Sequence, residues 1–111
     1  MKQDKSLLLQ AIGDTPKLRI IDFLITFQKF DYSMTDIAEG SGVAYRTLQE
    51  VWPEIEKAQL VVETRKVGKS RMFRANMENP IVLGLSRLQL RIADYFISKE
   101  FLMKKKVEVL N

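Results

Sequence analysis

The 111-residue chain contains no cysteine and no histidine. That removes disulfides, thiolate and imidazole metal sites, cysteine nucleophiles and any histidine general base. Carboxylates, lysines and hydroxyls are what remain for chemistry. No glycine-rich phosphate loop is present, and no acidic residues cluster at a metal-like spacing. The chain is therefore read as a non-enzyme with no metal and no cofactor. No apolar run is long enough to span a bilayer, and the C-terminal apolar segment is interrupted by Arg87 and Arg91. The opening MKQDKSLLLQ carries Asp4 and too short an apolar stretch for a secretory signal. These absences predict a cytoplasmic protein without a membrane partner. There is no internal repeat and no low-complexity linker.

What is present is an ordinary globular composition, 46% hydrophobic and 29% charged, of a length that suits one domain with one core. The net charge is +4, unevenly spread. Residues 1–59 hold seven basic and nine acidic side chains, whereas residues 60–111 hold eleven basic and five acidic. The second half thus offers a surface suited to a polyanion.

Met34 to Leu60 is the most informative stretch. Ile37 and Ala38 face inward from a first short helix. Gly40-Ser41-Gly42 supplies a tight turn, where glycine takes positive φ at little steric cost. Val43 fills the corner. A second helix places Leu48, Trp52 and Ile55 on one face at i, i+4, i+7. Tyr45, Arg46 and Gln49 fall on the opposite, outward face. A helix crossed by another, with a hydrogen-bonding face turned out, is the arrangement that presents side chains to the DNA major groove. Pro53 predicts a kink near Trp52 or a break with a restart, because it removes a backbone donor inside the helix.

Before this stretch, residues 1–13 predict an N-terminal helix over Lys2 to Ile12, with Leu8 and Ile12 on one face and Gly13 ending it. Asp14-Thr15-Pro16 then caps and opens a core helix reaching about Phe27 and burying Leu18, Ile21, Leu24 and Ile25. Asp31-Tyr32-Ser33 reads as a connector, with Ser33 or Thr35 capping the next helix. After it, Leu60 to Arg65 and Arg71 to Arg74 have β character, and Gly68 lies in the turn between them, which predicts a hairpin. Arg65, Lys66, Lys69, Arg71 and Arg74 against Glu63 give the hairpin a balance of +4. Such a basic hairpin grips phosphates when it follows a helix-turn-helix, or else serves as a lysine-protected edge.

Asn79-Pro80 opens a closing helix to about Met103, within a segment 77–104, followed by a tail 105–111. Ile81, Leu85, Leu88, Ile92, Tyr95 and Phe96 form a broad apolar stripe. Leu83, Leu90, Ile97 and Phe101 form a second, nearly opposite. A terminal helix needs one apolar face to dock, so the second stripe implies self-association or packing on the N-terminal helix of the same chain. The first reading places Leu8, Leu83, Leu90, Ile97 and Phe101 at a homodimer interface.

Together these residues resemble the prokaryotic winged-helix regulators of the ArsR/MarR-like group. Residues 11–21, AIGDTPKLRII, are similar to the ArsR-type opening. Asp36-Ile37-Ala38 and Gly42 to Leu48 are similar to the group's helix-turn-helix, and Leu60 to Arg74 to its wing. The resemblance covers residues 7–75, and the closing helix is similar to the group's dimer helix. It implies a mainly α fold with a small β-hairpin: a winged helix-turn-helix at 14–76 with flanking dimerisation helices. The implied function is a dimeric, double-stranded-DNA-binding transcriptional regulator, most simply a repressor, associated with the nucleoid. Tyr45, Arg46 and Gln49 would meet base edges; Arg65, Lys66, Lys69, Ser70 and Arg71 would meet the backbone from the wing, and Ser33 and Thr35 would hold a phosphate. Metal-sensing members use cysteine and histidine, which this chain lacks. An unknown small-molecule effector has room between the dimer helices and the core. The alternative function is a winged-helix adaptor that binds protein, a use the acidic Glu50, Glu54 and Glu56 favour. A single-strand or RNA binder ranks lower, because the basic sheet lacks stacking aromatics.

Overall fold

The computed structural model describes residues 6–110, and the side chains of these except Phe101 and residues 105–110. Five helices and three strands follow in the order α1 (Leu7–Ile12), α2 (Pro16–Thr26), β1 (Tyr32–Ser33), α3 (Met34–Ser41), α4 (Tyr45–Lys57), β2 (Val61–Val67), β3 (Ser70–Ala75) and α5 (Pro80–Leu110). The architecture is a mainly helical winged helix-turn-helix with a small antiparallel sheet.

Local chemistry accounts for the helix starts. Ser6 Oγ accepts from the Leu9 amide at 3.2 Å and so caps α1. Residues 1–5, where the sequence also predicts helix, lie outside the described residues. Thr15 Oγ1 accepts from Leu18 N at 3.1 Å, and Pro16 occupies the first turn of α2, where its missing N–H has no partner to lose. Ser33 and Asp36 form a reciprocal capping box on α3: Asp36 N donates to Ser33 Oγ at 3.2 Å, and Ser33 N donates to Asp36 Oδ2 at 3.3 Å. Gly42 ends α3 in the left-handed region at φ +69°, the turn glycine the sequence requires. Gly40, by contrast, is there for space, since a Cβ on it would overlap the ring of Phe23.

One core is built from every element except α1. Ile20, Ile21, Leu24 and Ile25 of α2 meet Ile37 and Ala38 of α3, Leu48, Trp52 and Ile55 of α4, and Phe73 of β3. Leu18, expected among them, is only half-buried. Burying each large aliphatic of this set contributes on the order of 1.5–3 kcal/mol. Trp52 meets Phe73 edge-on, with centroids 4.9 Å apart. Helix α4 runs unbroken through Pro53, so the restart at that residue does not occur.

Three points of the sheet depart from the sequence reading. The connector 31–33 contains a strand: Tyr32 pairs with Phe73 and Ser33 with Met72, giving the order β1-β3-β2. The hairpin strands run further than expected, and Val67 pairs with Ser70 across a two-residue Gly68-Lys69 turn. Gly68 has φ +62°, as a type II′ turn asks of its first central residue. Thr64 is the extra residue of a β-bulge between Glu63 and Arg65.

The closing helix differs more. It continues through Leu110, so residues 105–110 extend it rather than form a tail. Its docking residue is Val82, fully buried, whereas Ile81 is 60% exposed. Leu85 packs on the core behind it. Leu8 corrects the interface assignment made from sequence: it is 1% exposed within the single chain, because α1 lies along α5 and also touches α2. It has no surface left to offer a second copy. Ile12, expected on the same face, is 58% exposed, and Leu9 is the buried neighbour. Leu90 and Ile97 are 66% and 63% exposed, so α1 does not cover that stripe; Leu83 is half-buried. The Phe101 side chain lies outside the described residues.

Candidate nucleic-acid interface

The outward face of α4 is as its periodicity requires. Tyr45, Arg46 and Gln49 are exposed, while Leu48, Trp52 and Ile55 turn in. No side chain caps the first turn of α4, so its free N–H groups are left to solvent or to an anion. Ser33 and Thr35 open α3, half-buried and exposed respectively. Ser33 Oγ is already engaged in the capping box. The wing tip, Lys66 to Ser70, is exposed throughout.

The acidic residues of α4 each have a cationic partner. Glu50 lies 3.9 Å from Arg46 one turn back. Glu54 faces Lys17 of α2 at 3.7 Å. Glu56 accepts from Arg71 of β3 at 2.9 and 3.4 Å. The carboxylates at 54 and 56 are therefore turned toward α2 and the wing. Glu54 and Glu56, which favour the adaptor alternative, are thus paired with cations of other elements, whereas the partner of Glu50 is Arg46 of the outward face itself.

The same pairing sorts the wing cations. Arg71 donates from Nε to Glu63 as well as from its terminal nitrogens to Glu56, and its guanidinium lies 4.8 Å from the Phe73 centroid. These hydrogen bonds, to Glu56 first and Glu63 second, raise its pKa above the ordinary arginine value. Arg65 forks onto Asp31, Nε to Oδ2 at 2.9 Å and Nη2 to Oδ1 at 3.1 Å. Thr64, on the bulge, donates to the same carboxylate at 2.5 Å. The Arg65 hydrogen bonds and then that of Thr64 hold Asp31 at a pKa of about 2, below the ordinary 3.8. Arg65 and Arg71, both read as backbone contacts, are thus committed to carboxylates of their own chain. Lys66 and Lys69 have no ion pair among the described residues.

Two features went unread in the sequence. Arg19 of α2 forks onto Asp14, at 2.5 and 2.7 Å, and its remaining nitrogen donates to the Gly42 carbonyl at 3.5 Å, joining α2 to the turn of the helix-turn-helix. Asn79 accepts from Ile81 N at 2.8 Å while its amide donates at 3.0 Å to the Ala58 and Gln59 carbonyls. It caps α5 and closes the end of α4, where Gln59 takes φ +56°. An Asn-Pro pair signals only the first of these roles.

Among the described residues, no group of acidic side chains is arranged to hold a metal ion. No helix among them is long and apolar enough to cross a membrane.

Neither a family model nor a curated protein matches the sequence. Solved structures do match the fold. NadR in complex with 4-hydroxyphenylacetate superposes with a TM-score of 0.62 at 19% identity, over 94% of this chain and 73% of that one. MepR, a transcription regulator of the Staphylococcus aureus multidrug efflux pump MepA, gives 0.61 at 12% identity, over 92% and 78%. Lactococcus lactis ZitR in complex with DNA gives 0.56 at 9% identity, over 79% and 60%. The fold is the winged helix that these solved structures share.

Proposed function

We propose that this protein is a double-stranded-DNA-binding transcriptional regulator that acts as a homodimer, most simply as a repressor occluding a promoter. The observation that carries the reading is the pairing of an exposed Tyr45–Arg46–Gln49 face on α4 with an exposed wing tip whose Lys66 and Lys69 have no ion pair among the described residues. Arg46 suits the acceptor edge of guanine, and Gln49 suits adenine. Lys66 and Lys69 supply sequence-independent phosphate contacts. MepR is a transcription regulator and ZitR was solved on DNA, which supports the same use of the same fold here. The exposed Leu90 and Ile97, seven residues apart on α5, are the surface for a second copy.

The test is selection from genomic double-stranded fragments at several salt concentrations, with the recovered fragments sequenced. A common, roughly two-fold symmetric site with affinity falling steeply in salt is the expected result. In the Arg46→Ala variant, selectivity at one base position should relax. Equal loss of affinity for every sequence would remove Arg46 from base contact. Absence of any enriched site, together with salt-resistant capture of a protein by the Leu90–Ile97 face, would move the function to the adaptor reading.

A further inference from the structure

Gln89 is a polar residue on the apolar docking face of α5. That face runs through Val82, Leu85 and Gln89 at i, i+3, i+7, and the first two are apolar and packed on the core. Opposite Gln89 lies Asp22 of α2, only 7% exposed although charged. Gln89 Nε2 donates to Asp22 Oδ1 at 2.7 Å and to Thr26 Oγ1 at 2.9 Å. Thr26 Oγ1 in turn donates to the Asp22 carbonyl at 2.8 Å. A primary amide has two N–H donors and a hydroxyl has one, so this cycle uses all three. The reverse amide orientation would set its carbonyl against a carboxylate.

Apolar contact is non-directional, and Val82 and Leu85 would tolerate a range of helix angles. Hydrogen bonds weaken steeply off axis. Beside the packing of α1 along α5, the Gln89 pair therefore adds the directional constraint on the angle at which α5 leaves the core. Beyond it α5 continues for 21 residues to Leu110, or about 32 Å at 1.5 Å per residue. Leu90 and Ile97 lie on this distal arm. A change of about 10° at Gln89 moves Ile97, eight residues on, by about 2 Å, or by about 4 Å in all when both arms of a two-fold dimer turn, more than the roughly 3.4 Å between successive base pairs.

We propose that Gln89, held by Asp22 and Thr26, is the positioning residue that sets the spacing between two DNA half-sites. This rests on the homodimeric DNA-binding reading. Gln89 touches no DNA in this role; it acts by aiming the arm that joins two recognition helices.

The test uses the full-length chain and a duplex library carrying two inverted copies of the selected half-site, separated in one-base-pair steps. Wild type should favour one spacing by about tenfold over its neighbours, the order of a single site defect. Gln89→Met removes the donors. Because it leaves Asp22 buried without a partner and risks misfolding, Asp22→Leu with Gln89→Met serves as the second variant, with neither side left polar. Folding is checked by circular dichroism and thermal melting. Expected is a flattened spacing profile, within about threefold across adjacent steps, with the base preference inside each half-site unchanged. Folded variants that keep the sharp wild-type profile would overturn the proposal. So would variants that lose base preference within the half-site, because the junction would then act on α4. Wild type binding only isolated half-sites would sink the homodimer reading itself, an outcome visible before any variant is made.

Discussion

The guanidinium of Arg71 on β3 donates to both carboxylate oxygens of Glu56 on α4, at 2.9 and 3.4 Å. With Glu63 on its other side, the group has a net negative charge, and Arg71 serves as a strut between α4 and the β2–β3 hairpin. Lys69→Ala should lower the slope of log affinity against log salt by about 0.9, one phosphate contact. Arg71→Gln should weaken binding by loosening the wing and leave that slope unchanged. Fluorescence anisotropy titrations between about 50 and 200 mM salt separate the two. A slope change in Arg71→Gln equal to that of Lys69→Ala would return Arg71 to the phosphate contacts.

Asp31 links the loop before α3 to the bulged edge of β2. Its pKa is lowered to about 2 by the Arg65 fork and by Thr64. A depressed folded-state value means the unfolded chain binds the proton more readily. The stabilisation from this carboxylate is therefore complete above the ordinary 3.8 and is lost as pH falls from there through about 2. Thermal melting between pH 5 and pH 2 should show an acid-side fall in Tm that is shallower in Asp31→Asn. Identical acid slopes in the two proteins would show that the clamp contributes nothing to folding.

Gly40 leaves room for Phe23, whose ring also packs on Phe27 and Tyr32 with centroids 5.2 and 5.1 Å away. Gly40→Ala forces the ring aside and should cost about 1–3 kcal/mol, as overpacking does. Adding Phe23→Leu should recover part of that loss. Urea denaturation of the two single variants and the double variant measures the coupling. Additive effects would mean that the ring is not what excludes a side chain at position 40.

Ser33 caps α3 through its hydroxyl. Ser33→Ala should lower stability by about 1 kcal/mol. Ser33→Asp, which keeps a capping acceptor, should restore it in the same denaturation experiment. If Ser33→Asp restores stability but loses DNA affinity relative to wild type, Ser33 also meets a phosphate. Failure of Ser33→Asp to restore stability would remove the cap from the account of α3.

The helix-turn-helix was legible because its signals are local. Leu48, Trp52 and Ile55 at helical spacing define both faces of α4 within one turn of each residue, so Tyr45, Arg46 and Gln49 were placed outward without tertiary information. The hairpin was legible from its β-branched residues and Gly68. The partners of the wing arginines were not. Asp31 precedes Arg65 by 34 residues and Glu56 precedes Arg71 by 15, and any basic hairpin reads alike until its neighbours are known.

The same limit applies to α5 and α1. Two apolar stripes are visible in the α5 sequence, but whether Ile81 or Val82 docks depends on a rotation of about 100°, set by the core it meets. Leu8 read as an interface residue because a short apolar helix has no visible partner in sequence; α5 supplies one. Strand β1, two residues long, exists only because β3 passes alongside it some 40 residues later.

The sequence by itself thus determined the order of the helices and of the hairpin, the polar face of α4, the charge of the wing and the absence of thiol and imidazole chemistry. All of these follow from periodicity, turn residues and composition, which are properties of neighbours along the chain. Tertiary structure alone decided which cations are spent internally, which face of α5 is covered and what Gln89 holds. Each of these depends on contacts between residues far apart in sequence, where the strength of a hydrogen bond or an apolar contact is set by distance and angle in space.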